Sequence, residues 1–366
     1  MHIRILDKYI FREVLMSFLF GVCAFSAVFI GTGTLFRIAQ YITEYGASIT
    51  SVIKIFVLSL PAIIVYTFPM SMLLAALLTI GRLSSGSEIT AMKSCGISFY
   101  RIAAPALLLG ALISVFSILF NEHVVPWANE SYNNVLNYEI KGNTTPQSQE
   151  HIIIKQIDQG VIQRLVYARN YDSVSNTMQD VTMQSFEKGR IKQVENAEYA
   201  EWLGDHWKMY NGVIYDVENQ DAKKVKHTMH FDSQLLPVNA TPQQILREQK
   251  TPEELTMQEL EEQIEIMQAQ YVNTKKLETE LYQRYTIPMA SLVFTLIAVP
   301  LGMQSTRNSS SVGFAISIVI IFVYYAAMTF AAALGQGGLL PPAFAVWIPN
   351  LIGLAIGIYL IRRAAS

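Results

Sequence analysis

The stretch VLMSFLFGVCAFSAVFIGTGTLF, Val14–Phe36, decides the fold. It holds 23 residues without an Asp, Glu, Lys or Arg. About 20 apolar residues are needed to cross a hydrocarbon core, and a secretory signal has an apolar run of only about 7–15 residues. The stretch therefore reads as a retained membrane helix. Five more follow the same rule: Ile55–Gly81, Ile102–Phe120, Tyr285–Met303, Val312–Leu334 and Ala343–Ile361. The chain is accordingly expected to be an α-helical membrane protein with six transmembrane helices, three on each side of an inserted β-domain.

Charge separates the two parts. Residues 121–284 hold 25 of the 29 acidic and 16 of the 27 basic side chains. An acidic insert argues against nucleic acid as its partner. The two cysteines, Cys23 and Cys95, both lie outside it, so no disulfide holds it together. Lys and Arg in short flanks set orientation. Arg4, Lys8, Arg12, Arg82, Lys93, Arg101, Arg307, Arg362 and Arg363 fall on one side; the short flanks of the other carry only Arg37 and Lys54. Both termini are expected in the cytoplasm and the insert outside, in the periplasm of a Gram-negative cell.

The insert alternates with period two. Trp207, Met209, Val213, Tyr215 and Val217 are expected on one face of a strand, and Val225, His227, Met229 and Phe231 on one face of another. Ile152–Ile157, Ile162–Arg169, Met178–Phe186 and Arg190–Trp202 complete the strand candidates. Turn signals at Asp158-Gln159-Gly160, Lys188-Gly189, Gly204-Asp205 and Asn219-Gln220-Asp221 separate them. Such spacing suggests a sandwich, jelly roll or related β-fold. The period then changes. Leu260, Ile264, Met267 and Tyr271 give a helical stripe within Thr256–Arg284, a connecting helix expected to run into helix 4. The expected division is 1–120 for helices 1–3, with a cytoplasmic loop at 82–101, then 121–255 for the β-domain, 256–284 for the connecting helix and 285–366 for helices 4–6.

Chemistry-bearing motifs are few. No membrane helix carries the acidic or basic group that ion-coupled transporters usually keep there. Backbone carbonyls at broken helices leave a sodium-coupled reading open. Gly81–Glu88 has the glycine spacing of a phosphate loop but lacks its Lys, so ATP-driven work needs a separate subunit. His227 and His230 fall on opposite faces of a strand, which disfavours a metal site. No cofactor or catalytic constellation is visible. The loop Ser84–Tyr100 is long for its place. Ser87 can cap a short helix in which Glu88 suits the first turn, and Ile89, Met92 and Cys95 form an apolar stripe. Composition leaves open an interfacial turn helix or a coupling helix that docks in a partner's groove. Three functions compete: an ATP-driven lipid exporter subunit, an ion-coupled secondary transporter of another amphiphile, and a membrane scaffold or sensor.

Four segments together carry a resemblance over the whole chain: ILDKYIFRE (Ile5–Glu13); FPMSMLLA (Phe68–Ala75) with SEITAM (Ser87–Met92) and SCG (Ser94–Gly96); NEHVVP (Asn121–Pro126); and ELYQRYTIP (Glu280–Pro288) with VPLG (Val299–Gly302). The chain resembles the lipopolysaccharide export permease family of the LptF/LptG (YjgP/YjgQ) type. That resemblance implies three helices, a periplasmic β-jelly roll and three more helices, in a non-catalytic subunit of an inner-membrane ABC transporter. It implies pairing with a second permease subunit of the same family, two copies of a cytoplasmic ATPase, and delivery of lipopolysaccharide to a periplasmic bridge of similar β-domains. The family's coupling-helix carboxylate falls on Glu88, making Ser87, Glu88, Ile89 and Met92 the expected ATPase contact. Its basic residue for lipid phosphate falls on Arg37. Helices 1 and 5, with Gly21, Gly31, Gly33, Gly313 and Ala331–Ala333, would line the lateral opening.

Overall fold

The computed structural model describes residues 5–142, 149–158, 161–172, 175–187, 190–217, 225–238, 241–242, 250–269, 272–304 and 310–365. Arg4, Arg307, Tyr271 and most residues of the expected turns at 158–160, 188–189 and 219–221 lie outside them. The first crossing is α1 (Ile5–Phe29), a π-helical segment (Ile30–Thr34) and α2 (Leu35–Tyr45) in one continuous rod. Then come α3 (Ile49–Ser85), the short α4 (Glu88–Ser94) and α5 (Phe99–Asn134), which ends in a π turn (Val135–Ile140). After the insert follow α6 (Met257–Ala269), α7 (Lys275–Gln304), α8 (Ser310–Gln336) and α9 (Pro342–Ala365). Six of these rods are long and apolar enough to span a membrane.

The helical unit comprises residues up to Lys141 and from Pro252. α3 is its centre and packs on α1, α5, α7 and α8. Its buried residues, among them Met72, Leu73, Ile80 and Leu83, join Ile10 and Val14 of α1 and Phe294 and Val299 of α7 in one core. Without a hydrophobic drive between helices in lipid, small residues and polar bonds hold such a bundle. Gly110 shows the first: a Cβ there would meet Thr295 Oγ1 at 2.6 Å. Asn350 shows the second. Its Nδ2 donates to the Thr286 carbonyl at 2.7 Å, and its Oδ1 accepts from Tyr324 Oη at 2.9 Å, tying α7, α8 and α9.

Helix ends depart from the sequence reading. α5 runs 14 residues past the expected Phe120 to Asn134, so the insert does not begin at 121. Glu122 and His123 end the apolar run without ending the helix. The connecting helix runs into helix 4 only in its second part: α6 ends at Ala269, and residues 275–284 continue into the membrane as the start of α7. Local capping explains the break. Thr256 and Glu259 form a reciprocal capping box at the start of α6, at 2.9 and 3.1 Å. Asn273 Oδ1 accepts the Lys275 N–H at 3.1 Å and Thr274 bonds Glu278 at 2.6 Å, which starts α7 afresh.

The second unit, Gly142–Thr251, is an antiparallel sheet inserted between helices, as expected. Its strands are β1 (Gln149–Asp158), β2 (Val161–Asp172), β3 (Thr177–Glu187), β4 (Arg190–Trp202), β5 (Trp207–Val217) and β6 (Val225–Leu236), paired in sequence order. Among the described residues the topology is thus a six-strand meander without the crossovers of a Greek-key jelly roll.

A crease crosses this sheet. His151, Asp180 and Asn211 have φ of +58°, +49° and +51°, one on every second strand. The registers place them on a single line with Arg169 and Glu198. Inward faces slip by one residue there: Ala168 is followed by Tyr171, Met178 by Val181, Ala197 by Ala200 and Met209 by Gly212. The expected single face from Trp207 to Val217 therefore switches at Asn211. Residues on both sides of the crease, such as Ile152 and Trp207, share one apolar core. Asx residues tolerate the left-handed region, and the outward polar side chains pair: Arg169 with Asp180 at 2.9 Å, Asn211 Nδ2 with Glu198 Oε2 at 2.9 Å.

Glu195 is a cost inside that core. It is 4% exposed, and its Oε2 has no hydrogen-bond partner. Burial pushes its carboxyl above the ordinary range, against the opposing pull of Arg164 and of a hydrogen bond with Gln234. The folded sheet therefore binds this proton more tightly than the unfolded chain does. Its stability falls as pH rises from the ordinary carboxylate range through the raised value. Glu195→Gln is expected to flatten that dependence and to stabilise the sheet near neutral pH by about 1–2 kcal/mol. Hydrogen exchange of β4 and β5 amides in the full chain, converted to opening free energy between pH 5 and 8, checks the sign.

Candidate functional site

Two regions of the helical unit gather the residues singled out by sequence. The first lies where the chain leaves the bundle for the insert. A cavity of about 470 Å³ is walled there by Arg37 of α2, Tyr66 of α3, Asn129 and Asn133 of α5, and Glu280 and Arg284 of α7. An apolar groove of about 860 Å³ lies against it, lined by Phe25, Met70, Ile321 and Phe322 among others. Phe29, Ala62, Ile63, Tyr66, Gln283 and Ile287 line both. A polar chamber and an apolar trough thus share one wall.

The cations around the chamber differ in their commitments. Arg284 is spent on the protein: its guanidinium donates to the Leu255 carbonyl at 2.5 Å and the Pro252 carbonyl at 2.6 Å, with Glu280 at 3.4 Å. Asn129 Nδ2 donates to the Glu253 carbonyl at 2.8 Å, Asn133 bonds the Glu254 carboxylate, and Glu122 accepts the Met257 N–H at 2.8 Å. Together they strap the returning segment to α5 and α7. Lys54 pairs with Glu139 at 2.8 Å. Arg37 is exposed and makes no side-chain hydrogen bond or ion pair among the described residues. A guanidinium so placed presents its forked donors to an incoming oxyanion. Arg37 stands out in the sequence as a lone charge at the end of an apolar run, and Arg284 does not. Its signals are the i,i+4 pair with Glu280 and its place in the Glu280–Pro288 segment, and the carbonyls it holds lie about thirty residues back.

The second region is the loop at the other end of α3. α4 forms as a helix, but Ser87 does not cap it. Ser87 sits at φ +60° with no side-chain capping bond. The residue serves instead to terminate α3: its N–H bonds the Ser84 carbonyl at 3.0 Å, while its own carbonyl accepts the Ala91 N–H at 2.9 Å. The apolar stripe is turned inward. Ile89 is 4% exposed and belongs to the helical core, and Met92 packs against that core half-buried. Cys95 is exposed. Glu88 stays half-exposed, with Oε2 accepting from Tyr9 Oη at 3.1 Å. The structure thus seats the helix by Ile89 and Met92 and leaves Ser87 and Glu88 at the surface. Glu88 is nowhere near Arg37; they stand at opposite ends of the same helices.

Six spanning helices, a sheet inserted after the third, and a chamber backed by an apolar trough define a multi-pass membrane protein of permease type. The profile of the family described as "Lipopolysaccharide export system permease LptF/LptG" matches residues 8–363. The chain belongs to that family. Its similarity to curated relatives is distant but nearly end to end. It is 21% identical to the LptF permease protein of Escherichia coli K12 over 369 residues, covering 97% of this chain and 94% of the relative. It is 19% identical to the LptG permease protein of Haemophilus influenzae Rd over 381 residues, covering 99% of each.

Proposed function

We propose that the chain is the transmembrane subunit of an ATP-driven exporter that extracts lipopolysaccharide from the inner membrane and passes it to a periplasmic bridge. The observation that supports this best is the shared wall between the Arg37 chamber and the apolar groove. A lipid with phosphates on a sugar and several acyl chains needs both environments side by side. In this reading Arg37 takes a phosphate, the groove between the first crossing and α8 takes acyl chains, and the spent Arg284 shapes the chamber. Glu88, with Ser87 beside it, enters a groove of a cytoplasmic ATPase subunit, present in two copies. Ile89 and Met92 transmit by seating α4 on the core. A second permease subunit of the same family completes the membrane part. The chain itself is non-catalytic.

Depletion of the protein is expected to strand lipopolysaccharide in the inner membrane. Unchanged lipopolysaccharide at the outer membrane would reject the export role. Orientation is tested by thiol labelling in a Cys23→Ser background. An impermeant reagent is expected to label Ser175→Cys in the insert of intact spheroplasts, and to reach native Cys95 only after permeabilisation. The opposite pattern would invert the topology.

A further inference from the structure

Three side chains in the first turns of α1 reach the loop that joins α3 to α5 and its two ends. Glu13 forms an ion pair with Arg82 in the last turn of α3. Tyr9 Oη donates to Glu88 Oε2 at 3.1 Å, at the first residue of α4. Asp7 Oδ2 accepts from Arg101 Nη2 at 3.1 Å, in the first turn of α5. One helix thus grips the start, the middle and the end of the loop. The grip continues into the membrane. Thr79 Oγ1 bonds Ser17 Oγ at 2.9 Å, and Gly21 lies so close to α3 that a Cβ would stand 3.1 Å from the Ser71 Cα.

The outer part of the same crossing is different. Neither the π segment Ile30–Thr34 nor α2 has a buried residue. A Cβ on Gly31 or Gly33 would meet nothing within 4 Å. A π segment interrupts the regular ladder, and helices bend at such places. The residues after it include Arg37.

We infer that the first crossing is a two-part lever: its inner half is fastened to the coupling loop by Asp7, Tyr9 and Glu13, and its outer half pivots at residues 30–34 to move Arg37. This rests on the reading of Glu88 as the ATPase contact. Asp7, Tyr9 and Glu13 are then positioning residues. A displacement of α4 reaches α1 directly through Tyr9 and indirectly through α3, which ties and packing join to α1 from Glu13 to Gly21. Beyond Ser26 no residue of the crossing is buried, and the tie the motion must stretch is Tyr41 Oη with Tyr132 Oη of α5 at 3.1 Å. Force applied at one face of the membrane thereby reaches the phosphate site at the other through a single helix.

Half-exposed ion pairs contribute little to stability, so charge reversals here leave the bundle folded. The test uses the complete complex of both permease subunits and the ATPase in liposomes containing lipopolysaccharide. It reads ATPase retention, and lipopolysaccharide extracted per ATP hydrolysed. Asp7→Arg and Arg101→Asp singly are expected to retain the ATPase and lower extraction per ATP at least about tenfold, the factor that 1.4 kcal/mol of coupling represents. The double swap, Asp7→Arg with Arg101→Asp, is expected to recover most of it. Tyr9→Phe is expected to lower the same ratio by a smaller factor. Wild-type ratios in the single variants, or a double swap no better than either, would overturn the lever. Glu88→Ala separates the two readings. Loss of the ATPase in that variant, with full coupling in Asp7→Arg, removes the lever alone. An ATPase that stays bound to Glu88→Ala removes the coupling contact and the lever with it.

Discussion

Glu88→Ala is expected to weaken retention of the cytoplasmic ATPase and to abolish export. A carboxylate engaged in a partner's groove makes charge-assisted hydrogen bonds worth about 1.5–3 kcal/mol each, or roughly 10–150-fold in affinity for every bond lost. Glu88→Gln keeps the shape and one acceptor and is expected to fall between. The helix should survive both changes, because Ile89 in the core and Met92 against it seat α4, rather than any cap at Ser87. Co-purification of the ATPase with each variant reads the effect. Retention equal to wild type would make α4 an ordinary turn between two membrane helices.

Arg37→Gln is expected to lower lipopolysaccharide export by a similar factor, roughly 10–150-fold for loss of a charge-assisted contact. Arg37→Lys should recover part of it, since an ammonium keeps the charge but not the planar fork. The alternative is an Arg that snorkels to anchor its helix at the interface. An anchor would tolerate Lys fully and Gln nearly so. The structure sharpens the contrast, because two other cations of this end are already engaged: Lys54 with Glu139 and Arg284 with two carbonyls. Neither can readily replace Arg37.

Much of the fold was legible because lipid imposes a strict rule. Six uncharged runs long enough to span a membrane read as six helices, and each is one. What lipid does not constrain was less legible. α5 continues through Glu122 and His123 because a helix outside the membrane needs no apolar run. The strands showed in their alternation, and β4 matches its expected bounds at both ends. The crease did not show, since a one-residue slip at Asp180 or Asn211 depends on backbone φ that the residue types permit without requiring. At the sites, Arg37 stood out as a charge at the end of an apolar run. From composition alone Glu88 was a carboxylate in a first helical turn, a common arrangement; the resemblance in Ser87–Met92 singled it out, and its tie to Tyr9 spans 79 positions. The inward turn of Ile89 and Met92 could not be read from a stripe that fits a partner's groove as well as the chain's own core.

The central claim is that lipopolysaccharide loads beside Arg37 and is driven out by ATP. Photocrosslinking tests it most directly, with a photoreactive residue placed at 37 and, separately, at Phe322 of α8, which lines the apolar groove. In the complete complex without ATP, position 37 is expected to capture lipopolysaccharide, and ATP turnover is expected to reduce the adduct. Capture of bulk phospholipid alone at 37, with lipopolysaccharide captured only at 322, would contradict the account and leave Arg37 an interfacial anchor.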